Sequence, residues 1–304
     1  MPAGRLAGGD GGFSMTVFVL LCLASRVCYS LNDVFTGRLS REMGRMEVAA
    51  WRGVSLGATM APVLLWVPVE AWGALAQRWP RLALCVALTA ICNLLQNQAA
   101  RWLPFGLRAA IIMAGVATGS TTLGWFILGD TLNPLQIVLC GVVVASAALA
   151  ARGEHANHEI EPEIGRGAAV AAAASVLMAF NAVIVADLAR TTHPLLTAWA
   201  WEFGAGLVLV GPLLPRLPRL PPVEHVRRFG RIALAALPTV AGSSLSMVAL
   251  SLGAIGVWAA VSGTQVLVTA VFGALWHGER VGTRRWVCFA AAAVAVSGLA
   301  VVRL

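Results

Sequence analysis

Arg26, Tyr29, Ser30 and Asp33 fall at i, i+3, i+4 and i+7, which sets a guanidinium, a phenol, a hydroxyl and a carboxylate on one face of a helix. Tyr29 is the only tyrosine in the chain. Arg52, Ser55 and Thr59 make a second polar stripe, and Thr89, Asn93 and Gln96 a third, with Asn97 and Gln98 beside it. Thr239, Ser243 and Ser246 repeat the pattern, as do Trp258, Ser262, Gln265 and Thr269. Trp199 and Glu202, three residues apart, share a face and could flank a cationic group by cation–π contact and charge. A buried arginine offers a planar fork suited to a carboxylate or phosphate. Two readings of these residues stand. In one, Arg26 pairs with Asp33 or Glu202 and the hydroxyls hold helices together. In the other, the stripes line a route for a polar solute. The amides Asn93, Gln96 and Gln265 are costlier to hide, which favours the second. The candidate binding set is therefore Arg26, Tyr29, Asp33, Arg52, Asn93, Gln96, Trp199, Glu202, Ser262 and Gln265, with Glu202 the candidate for proton coupling.

These stripes lie inside long apolar runs. Of 304 residues, 59% are hydrophobic and only 12% charged, and the mean hydropathy is +0.79. A soluble domain needs about a quarter of its residues charged to cover its surface. Apolar blocks of about twenty residues instead read as membrane spans, and continuous runs favour helices over barrel strands. An ionisable side chain at the bilayer centre costs roughly 2.5–3.5 kcal/mol on insertion scales. Arg26, Asp33, Arg52 and Glu202 are marked as a site on that ground.

Ten spans are expected, near 14–36, 48–68, 81–99, 106–128, 133–151, 167–188, 194–214, 231–251, 256–276 and 284–302. Residues 1–13 read as a disordered tail, 152–166 as a hydrophilic linker, and 215–230 as a Pro/Arg loop. The halves 14–151 and 167–304 repeat each other. Asn32 recurs as Asn181, Trp51-Arg52 as Trp201-Glu202, and Gly129-Asp130 as Gly278-Glu279, at offsets of 149, 150 and 149. Five spans per half is an odd number, so the second half enters the membrane inverted. The fold class expected is an all-α integral membrane protein of ten helices in two inverted five-helix repeats.

Net charge is +8, from 22 basic and 14 acidic residues, and every basic residue is arginine. Fifteen of those arginines fall in the loops after odd-numbered spans, counting Arg108 and Arg231 at span edges. The positive-inside rule puts those loops in the cytoplasm and both termini outside, and it explains the basicity without nucleic acid. Six cysteines sit in apolar runs with no CxxC pair, and five histidines are scattered through loops with no metal-binding spacing, so neither a cofactor nor a metal is expected. Gly115, Gly119 and Thr122 form a small-residue face suited to close helix packing. An acid in the Gly129-Asp130 turn suits the N-terminal end of the helix that follows.

His277-Gly278-Glu279-Arg280-Val281 followed by Trp286-Val287 resembles the hallmark of EamA-type units of the drug/metabolite transporter superfamily. Leu128-Gly129-Asp130, followed by Pro134-Leu135-Gln136 and Gly141, is its first-half counterpart, with Asp in place of the usual Glu. Asn32-Asp33 before Arg38, and Trp51-Arg52-Gly53, also resemble that family's first two spans. The resemblance covers nearly the whole chain as two tandem units. It implies ten helices around a central cavity, no ATPase module and transport driven by gradients. Two positive and two negative buried groups make the expected cavity charge-balanced, which suits a zwitterion. The function expected is secondary-active export of an amino acid or amino-acid-derived metabolite, an opine-type metallophore among them. Uptake of a flavin- or S-adenosylmethionine-like cofactor is the alternative. An integral membrane enzyme acting on lipid-linked substrates, and a sensor without flux, are more distant readings. The expected partners are a small polar metabolite and the lipid bilayer, with a homodimer left open. The expected location is the cell membrane, the inner one in a Gram-negative cell.

Overall fold

Backbone amides and carbonyls in hydrocarbon must be satisfied within the segment, and helices do this unaided. The computed structural model describes residues 11–103, 105–151, 163–218, 220–277 and 282–301, and within them the regular structure is helical throughout. The first half runs α1 (Gly11–Glu42), α2 (Arg45–Met60), a 3-10 segment (Ala61–Trp66), α3 (Val69–Gln77), α4 (Trp79–Trp102), α5 (Phe105–Leu123), a π segment (Gly124–Leu128) and α6 (Pro134–Ala151). The second runs α7 (Glu163–Thr191), α8 (Pro194–Leu213), α9 (Pro222–Leu252), α10 (Ile255–Ser262), α11 (Gln265–His277) and α12 (Thr283–Val301). Most of the expected tail and linker, and the Gly278-Glu279-Arg280-Val281 turn, lie outside the described residues.

Among the described residues, seven helices are long and apolar enough to cross a membrane: Met15–Ser40, Arg45–Trp66, Trp79–Trp102, Ile111–Leu128, Gly165–Thr191, Pro194–Arg216 and Pro222–Leu252. The other three expected spans correspond to shorter apolar helices, Pro134–Ser146, Ile255–Thr269 and Trp286–Ala295. Large apolar side chains such as Leu65, Trp66, Trp125 and Phe126 are exposed on the outside, as lipid contact requires.

Four expectations about elements change. The span drawn at 256–276 is broken at Gly263-Thr264 into α10 and α11, and Thr264 turns its hydroxyl onto the Val261 carbonyl at 2.6 Å. The loop drawn at 215–230 is largely helix, because Pro221 and Pro222 pre-set the backbone for the start of α9 and Glu224 sits in its first turn. The span drawn at 48–68 loosens at Pro62 into the 3-10 segment. The span at 106–128 ends in the π segment, which Gly129 closes with φ of +68°.

Helix pairing exchanges the two halves. α1 packs on α9 as α7 packs on α4, and α5 packs on α7 as α10 and α11 pack on α1, while α2–α8 and α6–α12 pair across the middle. α2 and α8 approach each other backbone to backbone. A Cβ placed on Gly206 would lie 2.5 Å from the Val54 nitrogen, and one on Gly53 2.5 Å from the Gly206 Cα. On α5, Gly115 and Gly119 meet Ser175 and Ala179 of α7, so the small-residue face does pack. Thr122, expected on that face, is exposed and bonds the Thr118 carbonyl of its own helix.

Candidate functional site: a cavity crossed by two ionic networks

A cavity of about 130 Å³ lies among α1, α2, α4, α5, α7, α8, α9, α10 and α11. Eight of the ten expected residues line it: Arg26, Tyr29, Asp33, Arg52, Asn93, Gln96, Glu202 and Gln265. Each lies on the polar stripe of a helix whose opposite side is apolar, so burying that helix turns the stripe inward.

One network runs along α1 to α11 and α5. Arg26, 4% exposed, reaches the Gln265 side-chain oxygen with Nη1 at 3.5 Å. Its Nη2 donates to Ser25 at 2.9 Å and to Ser246 at 3.0 Å. Tyr29 and Trp258 place ring centroids 4.7 and 5.1 Å from the guanidinium carbon. No carboxylate lies within 4.0 Å of Arg26 among the described residues, and its Nε is buried without a hydrogen-bond partner. Gln265 passes the chain on, donating from Nε2 to Asp33 at 2.8 Å, and Arg108 stands 3.8 Å from the other Asp33 oxygen. The break before α11 makes this possible, because it frees Gln265 to turn its amide between Arg26 and Asp33.

The second network joins α2, α8, α9 and α1. Arg52 grips Glu202 with both terminal nitrogens, at 3.2 and 3.3 Å. Ser243 donates to the same carboxylate at 2.8 Å, and Tyr29 lies 2.8 Å from Ser243. Since Ser243 commits its proton to Glu202, Tyr29 is the donor in that last contact. The structural reading expected Arg26 to pair with Asp33 or Glu202; it pairs with neither, because each acid already has another arginine.

Two expected residues are not at the cavity. Trp199 lies one turn toward the start of α8, donates to the Gly57 carbonyl at 3.1 Å and packs against Trp72 and Phe203. Its neighbour Trp201 lines the cavity and donates to Thr89. Ser262 is buried and bonds the Trp258 carbonyl of its own helix at 2.7 Å. The break at Gly263-Thr264 turns Gln265 out of register with it.

Arg108 is the residue that sequence reasoning misplaced. Expected at a span edge and counted with the loop arginines, it is 4% exposed and lines the cavity from the first turn of α5. Its position inside the expected span at 106–128 was the signal. With it the cavity carries Arg26, Arg52 and Arg108 against Asp33 and Glu202, so the expected charge balance becomes an excess of one positive group. Asn32 and Asn181, noticed only as repeat landmarks, also line the wall. Each buries a side-chain oxygen without a partner. Asn181 donates to Thr89 at 2.9 Å.

The acid in the Gly129 turn serves a different helix from the one expected. Asp130 accepts from the backbone N–H of Ile255, the start of α10, at 2.8 Å, and takes both terminal nitrogens of Arg190 at 2.9 Å. Arg190 also holds the carbonyls of Leu250 at 3.1 Å and Gly253 at 2.7 Å.

Gly53-Val54-Ser55-Leu56-Gly57 spells the GxSxG string of serine hydrolases, but it lies in mid-helix, with Ser55 bonded to the Arg52 carbonyl at 2.8 Å. The strand-to-helix turn that exposes such a serine is not there.

The model of the EamA-like transporter family matches the chain twice, over residues 16–152 and 165–302. A solved crystal structure of 16% identity, covering 95% of each chain, superposes with a TM-score of 0.70, so the fold is shared. No curated protein matches.

Proposed function

The chain belongs to the EamA-like transporter family, and from that premise we propose that it is a gradient-driven carrier for a small zwitterion bearing a carboxylate, an amino acid or a metabolite derived from one. That it is a multi-pass membrane transporter follows from the family. The substrate class, export as the direction and proton coupling through Glu202 are our reading. So are the ten-helix count, with the three shorter apolar helices also crossing, and the cell membrane as the location.

The observation that carries the reading is Arg26. It is a buried cavity-lining guanidinium whose described partners are hydroxyls, an amide and two rings. A buried charge held only by neutral groups is poorly compensated, and a carboxylate supplies what is missing. The single excess positive charge of the lining points the same way. The side-chain oxygens of Asn32 and Asn181, left over on the wall, suit the ammonium end of the same molecule. Glu202 is set for coupling only when Arg52 releases it, since both of its oxygens are now occupied.

The test is counterflow in liposomes containing the purified chain. Zwitterionic amino acids should exchange, while amines lacking the carboxylate should not. Arg26→Ala should reduce exchange at least tenfold, and Arg26→Lys should retain part of it. Equal exchange of amines and amino acids, or full exchange by Arg26→Ala, would discard the assignment.

A further inference from the structure

We propose that a second pocket, separate from the central cavity, holds the phosphate headgroup of an anionic phospholipid. This pocket, of about 580 Å³, lies where the ends of α1, α4 and α8 meet the starts of α2 and α9, at the arginine-rich face. Four arginines line it (Arg45, Arg101, Arg216 and Arg228), with Glu42 and Glu47.

Both acids are already engaged. Glu47 is buried and receives Arg228 at 3.1 and 2.9 Å, while Glu42 is held by Arg38 and Arg231. The other arginines have weaker company. Arg45 donates to the Gln98 amide, and Arg216 to the Pro212 carbonyl at 3.1 Å, with the Met46 sulfur at 3.7 Å. Among the described residues neither of them, nor Arg101, has a carboxylate within 4.0 Å. Three guanidiniums around one hollow, with no acid to spare, form a site for a phosphate diester, whose oxygens accept from several arginines at once. The hollow also takes in the first turn of α2, which no side chain caps, so its backbone N–H groups add to the same field.

Depth selects a lipid over a free anion. The pocket is formed at the ends of helices long and apolar enough to cross a membrane, which on the carrier reading sets it near the headgroups, and anionic leaflets draw such basic clusters. Met43, Met46, Leu213 and Pro218 add apolar wall beside the arginines, which suits the glycerol backbone. The Arg45–Gln98 contact, together with the Asn97 amide on the Arg45 carbonyl at 3.3 Å, stands between this pocket and the central cavity.

The experiment is native mass spectrometry of the full chain in detergent, titrated with phosphatidylglycerol, phosphatidylcholine and inorganic phosphate. The expected result is retention of phosphatidylglycerol roughly tenfold above phosphatidylcholine, with inorganic phosphate far weaker. Arg45→Gln/Arg101→Gln/Arg216→Gln should erase that preference. Should the triple variant misfold, Arg101→Gln decides alone, with an expected loss of several-fold, because Arg101 is exposed and holds no carboxylate. Equal retention of both lipids, unchanged retention by the variants, or inorganic phosphate binding as tightly as phosphatidylglycerol would each overturn the proposal.

Discussion

Two guanidiniums lining the central cavity are held in opposite ways. Arg52 has a carboxylate, and Arg26 has hydroxyls, an amide and two aromatic faces. Removing one member of a buried ion pair costs about 3–5 kcal/mol, because the other charge is stranded. Glu202→Gln should therefore abolish flux and lower the melting temperature while the protein still reaches the membrane. Adding Arg52→Gln should recover stability but not flux. A single variant as stable and active as wild type would show that the pair does neither job. Glu42 behaves differently, being exposed at the end of α1. Hydrogen bonds from Arg231 and Arg38 hold its carboxyl below the ordinary value of 4.5. A lowered folded value means that its contribution is fully present above about pH 4.5 and fades as pH falls through the folded value. Glu42→Gln should be less stable than wild type above about pH 4.5, and the difference should close as pH falls below that value, which an acid titration of stability checks. Most of the cavity residues were legible because an ion or amide inside an apolar run has few bland explanations. Trp199 and Ser262 were not, because sharing a helical face with a polar neighbour does not fix depth along the helix or survive a break in it.

At the level of helices, the α2–α8 contact decides how near Arg52 comes to Glu202. Gly53 and Gly206 meet backbone to backbone, with no flexible side chain to give way. Gly206→Val should force these helices apart, costing about 1–3 kcal/mol by overpacking and weakening the ion pair beside it. Thermal melting in detergent checks the first consequence and counterflow the second. The apolar runs located the ten apolar helical segments to within a few residues at most ends, because burial of apolar side chains is what those runs record. They could not locate the break at Gly263-Thr264, since the residues on either side are equally apolar. Nor could they extend α9 back to Pro222, since that part of the helix lies outside the apolar run.

The duplication was readable at the scale of the chain, because three landmarks share nearly one offset. The contact pattern carries the same exchange of halves through pairs that no local signal predicts. On the proposed ten-span reading, chain direction puts Gly44 and Gly282 on one face and Gly129 and Thr192 on the other. Single cysteines at these four positions, in a background with native cysteines replaced, should react with a membrane-impermeant reagent in two groups. Gly44 should go with Gly282, and Gly129 with Thr192. A mixed result would break the inverted arrangement.

The interruption before α11 has a mechanical consequence. A rod of 13 residues spans roughly 20 Å, pivoted at Gly263-Thr264 and gripped at its near end by Arg26 and Asp33 through Gln265. Tilting that rod by about 10° carries its far tip some 3.5 Å sideways (~20 Å times the sine of the tilt). On the proposed carrier reading, a solute that takes Arg26 away from Gln265 releases one of the two grips on the near end of that rod. Recognition at the middle of the molecule would on that reading be geared to displacement at the far end of α11.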